Sequence, residues 1–401
     1  MTGVRLDDVR AAAVLLERIA VRTPMEESRW LSALLGGPVH LKCENLQRTG
    51  SFKIRGAFVR MARLSAEERA RGVVAASAGN HAQGVALAAQ TLGIEATVFM
   101  PEGAPIPKER ATRAYGANVV FHGDALSASL RRAHEYAAET GAVLIHPFDH
   151  ADILAGQGTC GLEIIDQVPD VATVLVPTGG GGFLGGVAAA VKQLRPDVRV
   201  IGVQAEKAAA YPPSLAAGKP QELANLNTMA DGIAVARPGD LCFEMVQKYV
   251  DDVLTVSEES ISRALLALME RAKLIVEPAG AVAVAALLDD PRIAVTPTVA
   301  ILSGGNIDPL LLGKVIRHGM AAAGRYLHLQ VYIPDHPGGL AGLLSELAAA
   351  GCNVLEVAHE RLSPQLHLDE VEVHVHVETR GEGHASAVLA RLANSGYRVR
   401  R

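Results

Sequence analysis

Lys42-Cys43-Glu44-Asn45-Leu46-Gln47-Arg48-Thr49-Gly50-Ser51-Phe52-Lys53-Ile54-Arg55-Gly56-Ala57 is the stretch around which the rest of the chain is read. Residues 38–42 (Pro-Val-His-Leu-Lys) are predicted as a short strand feeding it. Thr49, Gly50 and Ser51 read as turn and capping residues, followed by a helix over 53–63. Lys53 then opens that helix, between aromatic Phe52 and apolar Ile54. Partial positive charge at a helix start and loss of solvent in an apolar pocket both disfavour an ammonium. Both favour the neutral amine that forms Schiff bases. A lone lysine is more often a solvated surface residue, so the reading rests on company further along the chain.

That company comes as turns at the ends of apolar strands. Gly72–Ser77 reads as a buried strand, and Ala78-Gly79-Asn80-His81 leads into a helix over 82–92. Gly79 lets a ligand approach the backbone, and the helix start offers N–H groups to a carboxylate or phosphate. Strands 95–99, 118–121 and 142–145 alternate with helices 107–115 and 124–140, which predicts a parallel sheet covered by helices. Val171–Pro177 is another buried strand. It runs into Thr178-Gly179-Gly180-Gly181-Gly182-Phe183 and a helix to about Leu194. Four consecutive glycines are costly to order and suit backbone amides that wrap a phosphate closely. The run is neither GxGxxG nor a Gly-Lys-Ser/Thr loop, so the phosphate need not belong to a nucleotide. Strand 198–203, the segment Met229–Val235, a helix over 258–272 and the helix opening Val276-Glu277-Pro278-Ala279-Gly280-Ala281 follow. Strand 298–302 then ends in Ser303-Gly304-Gly305-Asn306. Open α/β sheets place ligands at such strand ends.

In this order, Lys-x-Glu-Asn with Ser-Phe-Lys-x-Arg-Gly-Ala, Ser-Ala-Gly-Asn-His-Ala-Gln-Gly, the glycine run and Ser303-Gly304-Gly305-Asn306 resemble the fold-type II pyridoxal-phosphate enzymes. Within that group they look most like the threonine ammonia-lyases (threonine dehydratases). The resemblance covers roughly residues 1–320 and implies a catalytic domain of two open parallel-sheet α/β subdomains. It implies that Lys53 carries pyridoxal 5'-phosphate as a Schiff base, that Phe52 packs on the pyridine ring, and that Asn80 hydrogen-bonds the phenolic oxygen. The backbone amides of Gly179, Gly180, Gly181, Gly182 and Phe183 would hold the phosphate, and Ser303 would meet the pyridine nitrogen. Ser77, Ala78, Gly79, Asn80 and His81 would grip the substrate carboxylate.

The implied reaction is β-elimination from L-threonine, giving 2-oxobutanoate and ammonia, with L-serine to pyruvate beside it. A neutral serine at the pyridine nitrogen makes a weaker electron sink than an acid, which favours prompt loss of a β-substituent. The similar serine racemases carry a second serine where this chain has Ala78. Alanine exchanges no proton, so racemisation falls below dehydration. Two other readings stand beside this one. The first is an ammonia-lyase for another β-hydroxy amino acid such as hydroxyaspartate. The second is an amino-acid-sensing binding protein on an inactive scaffold, against which Lys53, Asn80, the glycines and Ser303 argue.

A boundary is read near Gly319–Arg325. Beyond it, strand 326–333, helix 340–350, strands 353–360 and 369–378, helix 383–394 and strand 397–400 give βαββαβ, a ferredoxin-like unit over 325–401. Asp335-His336-Pro337-Gly338-Gly339-Leu340 with Gly351-Cys352-Asn353-Val354 resembles an ACT domain. That implies regulation through Asp335, Gly338, Leu340 and Asn353, with isoleucine or valine as effector. A dimerisation module without a ligand is the alternative, since fold does not fix function. The long biosynthetic dehydratases resemble a pair of such units, and here there is one.

Composition sets the frame. A chain of 401 residues suggests two or three domains, and a net charge of −5 leaves no basic footprint for nucleic acid. Cys43, Cys160, Cys242 and Cys352 lack the spacing of a disulfide framework or zinc site. Glu206 and Asp231 lie too far apart in sequence to be read as a metal site, and none is assigned. A cytoplasmic protein with no membrane segment, acting on a small amino acid as a homodimer or homotetramer, is the expectation.

Overall fold

The computed structural model describes residues 3–322, 324–361 and 369–400. The chain divides into two compact units, Met1–Pro309 and Leu310–Arg401. The boundary read from sequence spans Ala323, which lies outside the described residues.

In the first unit the described residues form two sheets with helices on their faces. The larger runs Met25–Glu27, Val39–Lys42, Thr298–Ile301, Thr173–Pro177, Arg199–Ala205, Asp252–Val256 in spatial order. All its pairs are parallel except that of Met25–Glu27 with Val39–Lys42. The smaller runs Asn118–Phe121, Ala96–Met100, Val73–Ala76, Val143–Leu144, all parallel. Continuous apolar strands are what a sheet buried on both faces requires. Every residue of Val73–Ala76, Ala96–Met100, Thr173–Pro177 and Thr298–Ile301 is buried.

Three adjacent parallel strands place the site. Val39–Lys42, Thr298–Ile301 and Thr173–Pro177 are neighbours and run the same way. The lysine loop, Ser303 and the glycine run therefore emerge at one edge of the sheet, where α/β folds bind ligands.

Several elements differ from expectation. The helix expected over 82–92 begins two residues earlier, as Asn80–Leu92, so Asn80 and His81 belong to its first turn. The 258–272 helix ends at Ala267 and continues as a π-turn, Leu268–Ala272. The helix Ala151–Gln167 went unread, because Gly156, Gly158 and Gly161 look like breakers. They are contact points instead: a Cβ on Gly156 would stand 2.6 Å from the Arg55 carbonyl oxygen.

The second unit holds strands Tyr326–Pro334, Asn353–Glu360, Glu370–Glu378 and Arg398–Arg400, with helices Gly339–Ala349 and Glu382–Asn394 between them, in the order βαββαβ. The sheet is antiparallel in the order Asn353–Glu360, Glu370–Glu378, Tyr326–Pro334, Arg398–Arg400. Leu327, Leu329, Val331, Val373, Val375 and Val377 pack one sheet face on Leu343, Leu347, Val388 and Leu392. No helix among the described residues is long and apolar enough to cross a membrane.

Candidate active site

Lys53 opens the helix Lys53–Ala62, as expected, but Ser51 does not cap it. The N-cap is Phe52, with no side-chain cap, and Ser51 is extended backbone. That extension lets Ser51 bridge Gly304, while Phe52 N–H donates to the Ser303 carbonyl at 3.2 Å and Gly305 N–H to the Gly50 carbonyl at 2.9 Å. The lysine loop is thus stitched to the turn that carries Ser303.

The Lys53 side chain is half-buried, with its amine donating to the Pro147 carbonyl at 3.0 Å. Burial pushes the amine down to about 8, against the pull of Cys242 and Glu277. Its surroundings disfavour cations generally. Burial, then the Lys53 charge, hold His81 down at about 3, and burial holds His146 at about 4. A lysine here has a far larger neutral fraction near neutrality than one in water.

Beneath this helix lies a buried charge cluster. Arg55 Nε donates to Glu44 Oε2 at 2.8 Å and its Nη2 to Oε1 at 2.8 Å, a two-pronged pair. Arg55 Nη1 reaches Glu163 Oε1 at 2.7 Å, and Lys42 Nζ reaches Glu163 Oε2 at 2.6 Å. Burial alone would raise the Glu44 carboxyl, but Arg55, Lys42 and Thr23 hold it below its ordinary value. Two cations and two anions balance, and they tie the Lys53 helix to the strand Val39–Lys42 and the helix Ala151–Gln167.

One cavity gathers Phe52, Lys53, Asn80, Gly179, Gly180, Gly181, Gly182, Phe183 and Ser303, with Phe148, Gly232, Ile233 and Glu277 completing its wall. Gly181 has φ +98°, and a Cβ there would overlap the Tyr211 hydroxyl. Only glycine allows this turn, which opens the helix Gly182–Leu194. Phe52 and Phe183 stack with ring centroids 3.9 Å apart.

The residues assigned to substrate are less convergent. Ser77, Ala78 and Gly79 are half-buried in the turn after Val73–Ala76, and Ser77 Oγ accepts from Gly79 N–H at 3.1 Å. His81 is buried, with its Nε2 2.8 Å from the Ile145 carbonyl. Of this set only Asn80 lines the cavity with Lys53.

Sequence reasoning passed over Phe148, Tyr211, Lys108 and Glu277 as site residues. Lys108 Nζ pairs with Asp231 Oδ2 at 2.6 Å. Glu277 sits just before Pro278 at the head of an apolar helix and is only 2% exposed. The sequence offered no more than an acid before Pro278 and an apolar run.

The residues present fit pyridoxal phosphate. A depressed amine, glycine amides at a helix start and the hydroxyl of Ser303 meet in one cavity, and Glu277 Oε2 there is buried with no hydrogen-bond partner. Such a donor set matches an aldehyde, a phosphate and a pyridine nitrogen.

Comparison with known proteins agrees. The family model described as pyridoxal-phosphate dependent enzyme matches residues 16–304. An L-threonine ammonia-lyase of Thermotoga maritima is 45% identical over 397 residues, covering 99% of each chain. The solved structure of maize serine racemase has a TM-score of 0.75 at 36% identity, over 80% of this chain and 99% of that one. The processed form of threonine deaminase isoform 2 from Solanum lycopersicum has a TM-score of 0.74 at 38% identity, over 79% and 94% respectively. A cavity suited to pyridoxal phosphate, a shared fold and near full-length sequence likeness lead to one conclusion: the chain belongs to the pyridoxal-phosphate-dependent enzymes of fold-type II.

Proposed function

We propose that the protein is an L-threonine ammonia-lyase, converting L-threonine to 2-oxobutanoate and ammonia, and L-serine to pyruvate and ammonia. The observation that carries the reading is the Lys53 amine, lowered to about 8 and set in one cavity with the glycine nest and Ser303. The full-length likeness to an L-threonine ammonia-lyase supports it.

Bound pyridoxal phosphate supplies the electron sink that makes the substrate's α C–H bond acidic. The amides of Gly179 to Phe183, at the start of the helix Gly182–Leu194, would hold its phosphate. Ser303 would offer a neutral hydroxyl to its ring nitrogen. Asn80 would donate to its phenolic oxygen, and Phe52 would flank its ring. The turn Ser77–His81 receives the substrate carboxylate at the start of the helix Asn80–Leu92. Lys53, as a neutral amine, would take the α-proton at its Nζ. The β-hydroxyl then leaves as water, the proton taken up by Lys53 balancing the one it needs, and hydrolysis of the resulting enamine gives the oxo acid and ammonia. Ala78 offers no second proton donor to the substrate, which favours elimination over racemisation.

Residues 1–320 act as the catalytic domain and 325–401 as an ACT-like regulatory domain. Asp335, Gly338 and Leu340 line a cavity of about 310 Å³ with His336, His359 and Arg361. Arg361 Nε lies 3.2 Å from Asp335 Oδ2. Asn353, grouped with them from sequence, instead donates to Glu378 at 3.3 Å and is not in that lining. Isoleucine or valine is the proposed effector, in a cytoplasmic homodimer or homotetramer.

The test is oxo-acid release from L-threonine and L-serine by the protein loaded with pyridoxal phosphate, with and without isoleucine or valine. Rapid 2-oxobutanoate release supports the reading. Bound cofactor with no oxo acid from either substrate would move the chemistry to another β-substituted amino acid.

A further inference from the structure

Asn80 is held at both ends of its amide. Asn306 Nδ2 donates to Asn80 Oδ1 at 2.8 Å, and Asn80 Nδ2 donates to Glu277 Oε1 at 2.6 Å. Asn306 Nδ2 also donates to the Thr49 carbonyl at 2.6 Å, which anchors it to the lysine loop. A primary amide has two N–H donors, so one remains after the bond to Glu277. Turning the amide over would set NH₂ against NH₂ at Asn306 and oxygen against a carboxyl at Glu277. The bonding pattern therefore fixes which way Asn80 faces.

Glu277 lies at the N-cap of the helix Pro278–Asp289, bonds Asn80 with one oxygen and lines the Lys53 cavity. Its other oxygen is buried with no partner. The charged groups around it are Asp231, Lys108 and Lys53. Burial and then Asp231 push its carboxyl up to about 7, while Lys108, Asn80 and Lys53 pull it back.

We propose that Glu277 is a positioning residue for the cofactor: it locks the Asn80 amide so that the second N–H is presented to the phenolic oxygen of pyridoxal phosphate. This rests on the reading of Lys53 and Asn80 given above. A ring held at that oxygen cannot rock about the lysine–phosphate axis. Loss of the lock therefore acts on cofactor affinity and turnover more than on substrate affinity.

The experiment compares Glu277→Ala and Glu277→Gln in the full chain, with folding checked by circular dichroism. Glutamine keeps a carbonyl acceptor for Asn80, and alanine keeps none. The alanine variant is expected to bind pyridoxal phosphate roughly tenfold more weakly, the loss of one hydrogen bond to a charged group. Its bound-cofactor absorption band should move, and kcat for threonine should fall with KM nearly unchanged. Glutamine should restore affinity to within about threefold and return the band. Wild-type affinity and band in the alanine variant, or glutamine as weak as alanine, overturns the proposal.

A second readout needs neither activity nor the alanine variant. At about pH 8.5, where Glu277 is ionised, the Asn80 side-chain amide resonance of the apoprotein, assigned with Asn80→Asp, should shift upfield in Glu277→Gln as a charged acceptor becomes neutral. No shift overturns the proposal. A wild-type protein that takes up no pyridoxal phosphate instead overturns the functional reading, so the two failures are distinct.

Discussion

Half-buried Lys53 and buried Glu277 are ionisable groups that loss of solvent moves toward each other, the amine down to about 8 and the carboxyl up to about 7. For Lys53 the consequence is kinetic. Only the neutral amine attacks an aldehyde, so pyridoxal phosphate uptake by the apoprotein should rise close to tenfold per pH unit below about pH 8 and level off above it. Stopped-flow absorbance across that range checks this, and a flat profile would contradict it. Lys53→Ala should abolish threonine turnover while the circular dichroism spectrum stays unchanged. For Glu277 the consequence is thermodynamic. Its folded value lies above its unfolded one, so the folded state binds the proton more tightly. The cost of ionising it is absent at low pH and grows as pH rises from about 4.5 to about 7. Glu277→Gln does not ionise. Its apoprotein should match wild type near about pH 4 and exceed it by on the order of 3 kcal/mol near about pH 8, by urea unfolding.

At the scale of elements, the helix Lys53–Ala62 is held by charge as well as by apolar packing. Removing one partner from a buried pair leaves an uncompensated charge, so Arg55→Ala should cost on the order of 3–5 kcal/mol in urea unfolding. Adding Glu44→Ala should recover part of that, because the stranded carboxylate goes too. The two sides of this network were unequally legible. Lys42, Glu44 and Arg55 stand in the stretch quoted at the outset, but Glu163 lies on a helix whose glycines concealed it. Periodicity exposes strands and amphipathic helices. It fails for Ala151–Gln167, which is buried on most of its surface and uses Gly156 for close approach. The site divides in the same way. The glycine run was readable because a tight turn needs it, and Lys53 only in company with that run and the other strand-end turns. Glu277 was not, because its meaning lies in a bond to Asn80, 197 residues away in sequence.

At the scale of the molecule, the second unit should act through its own cavity. If isoleucine or valine binds there, Asp335→Ala should lose the effector's influence on threonine turnover and leave basal turnover unchanged. Steady-state rates with and without effector decide it, and a retained response would place the effector elsewhere. The first unit carries a different kind of control, in the short ladder that joins Ser51 to Gly304 and Phe52 to Ser303. Ser303 is itself a rung, and Lys53 is the residue after the rung at Phe52. A displacement of the strand Thr298–Ile301 should therefore carry the lysine loop with it. If Lys53 and Ser303 hold opposite ends of a pyridine ring, as proposed, the spacing of those two contacts would be set by peptide units rather than by side-chain packing.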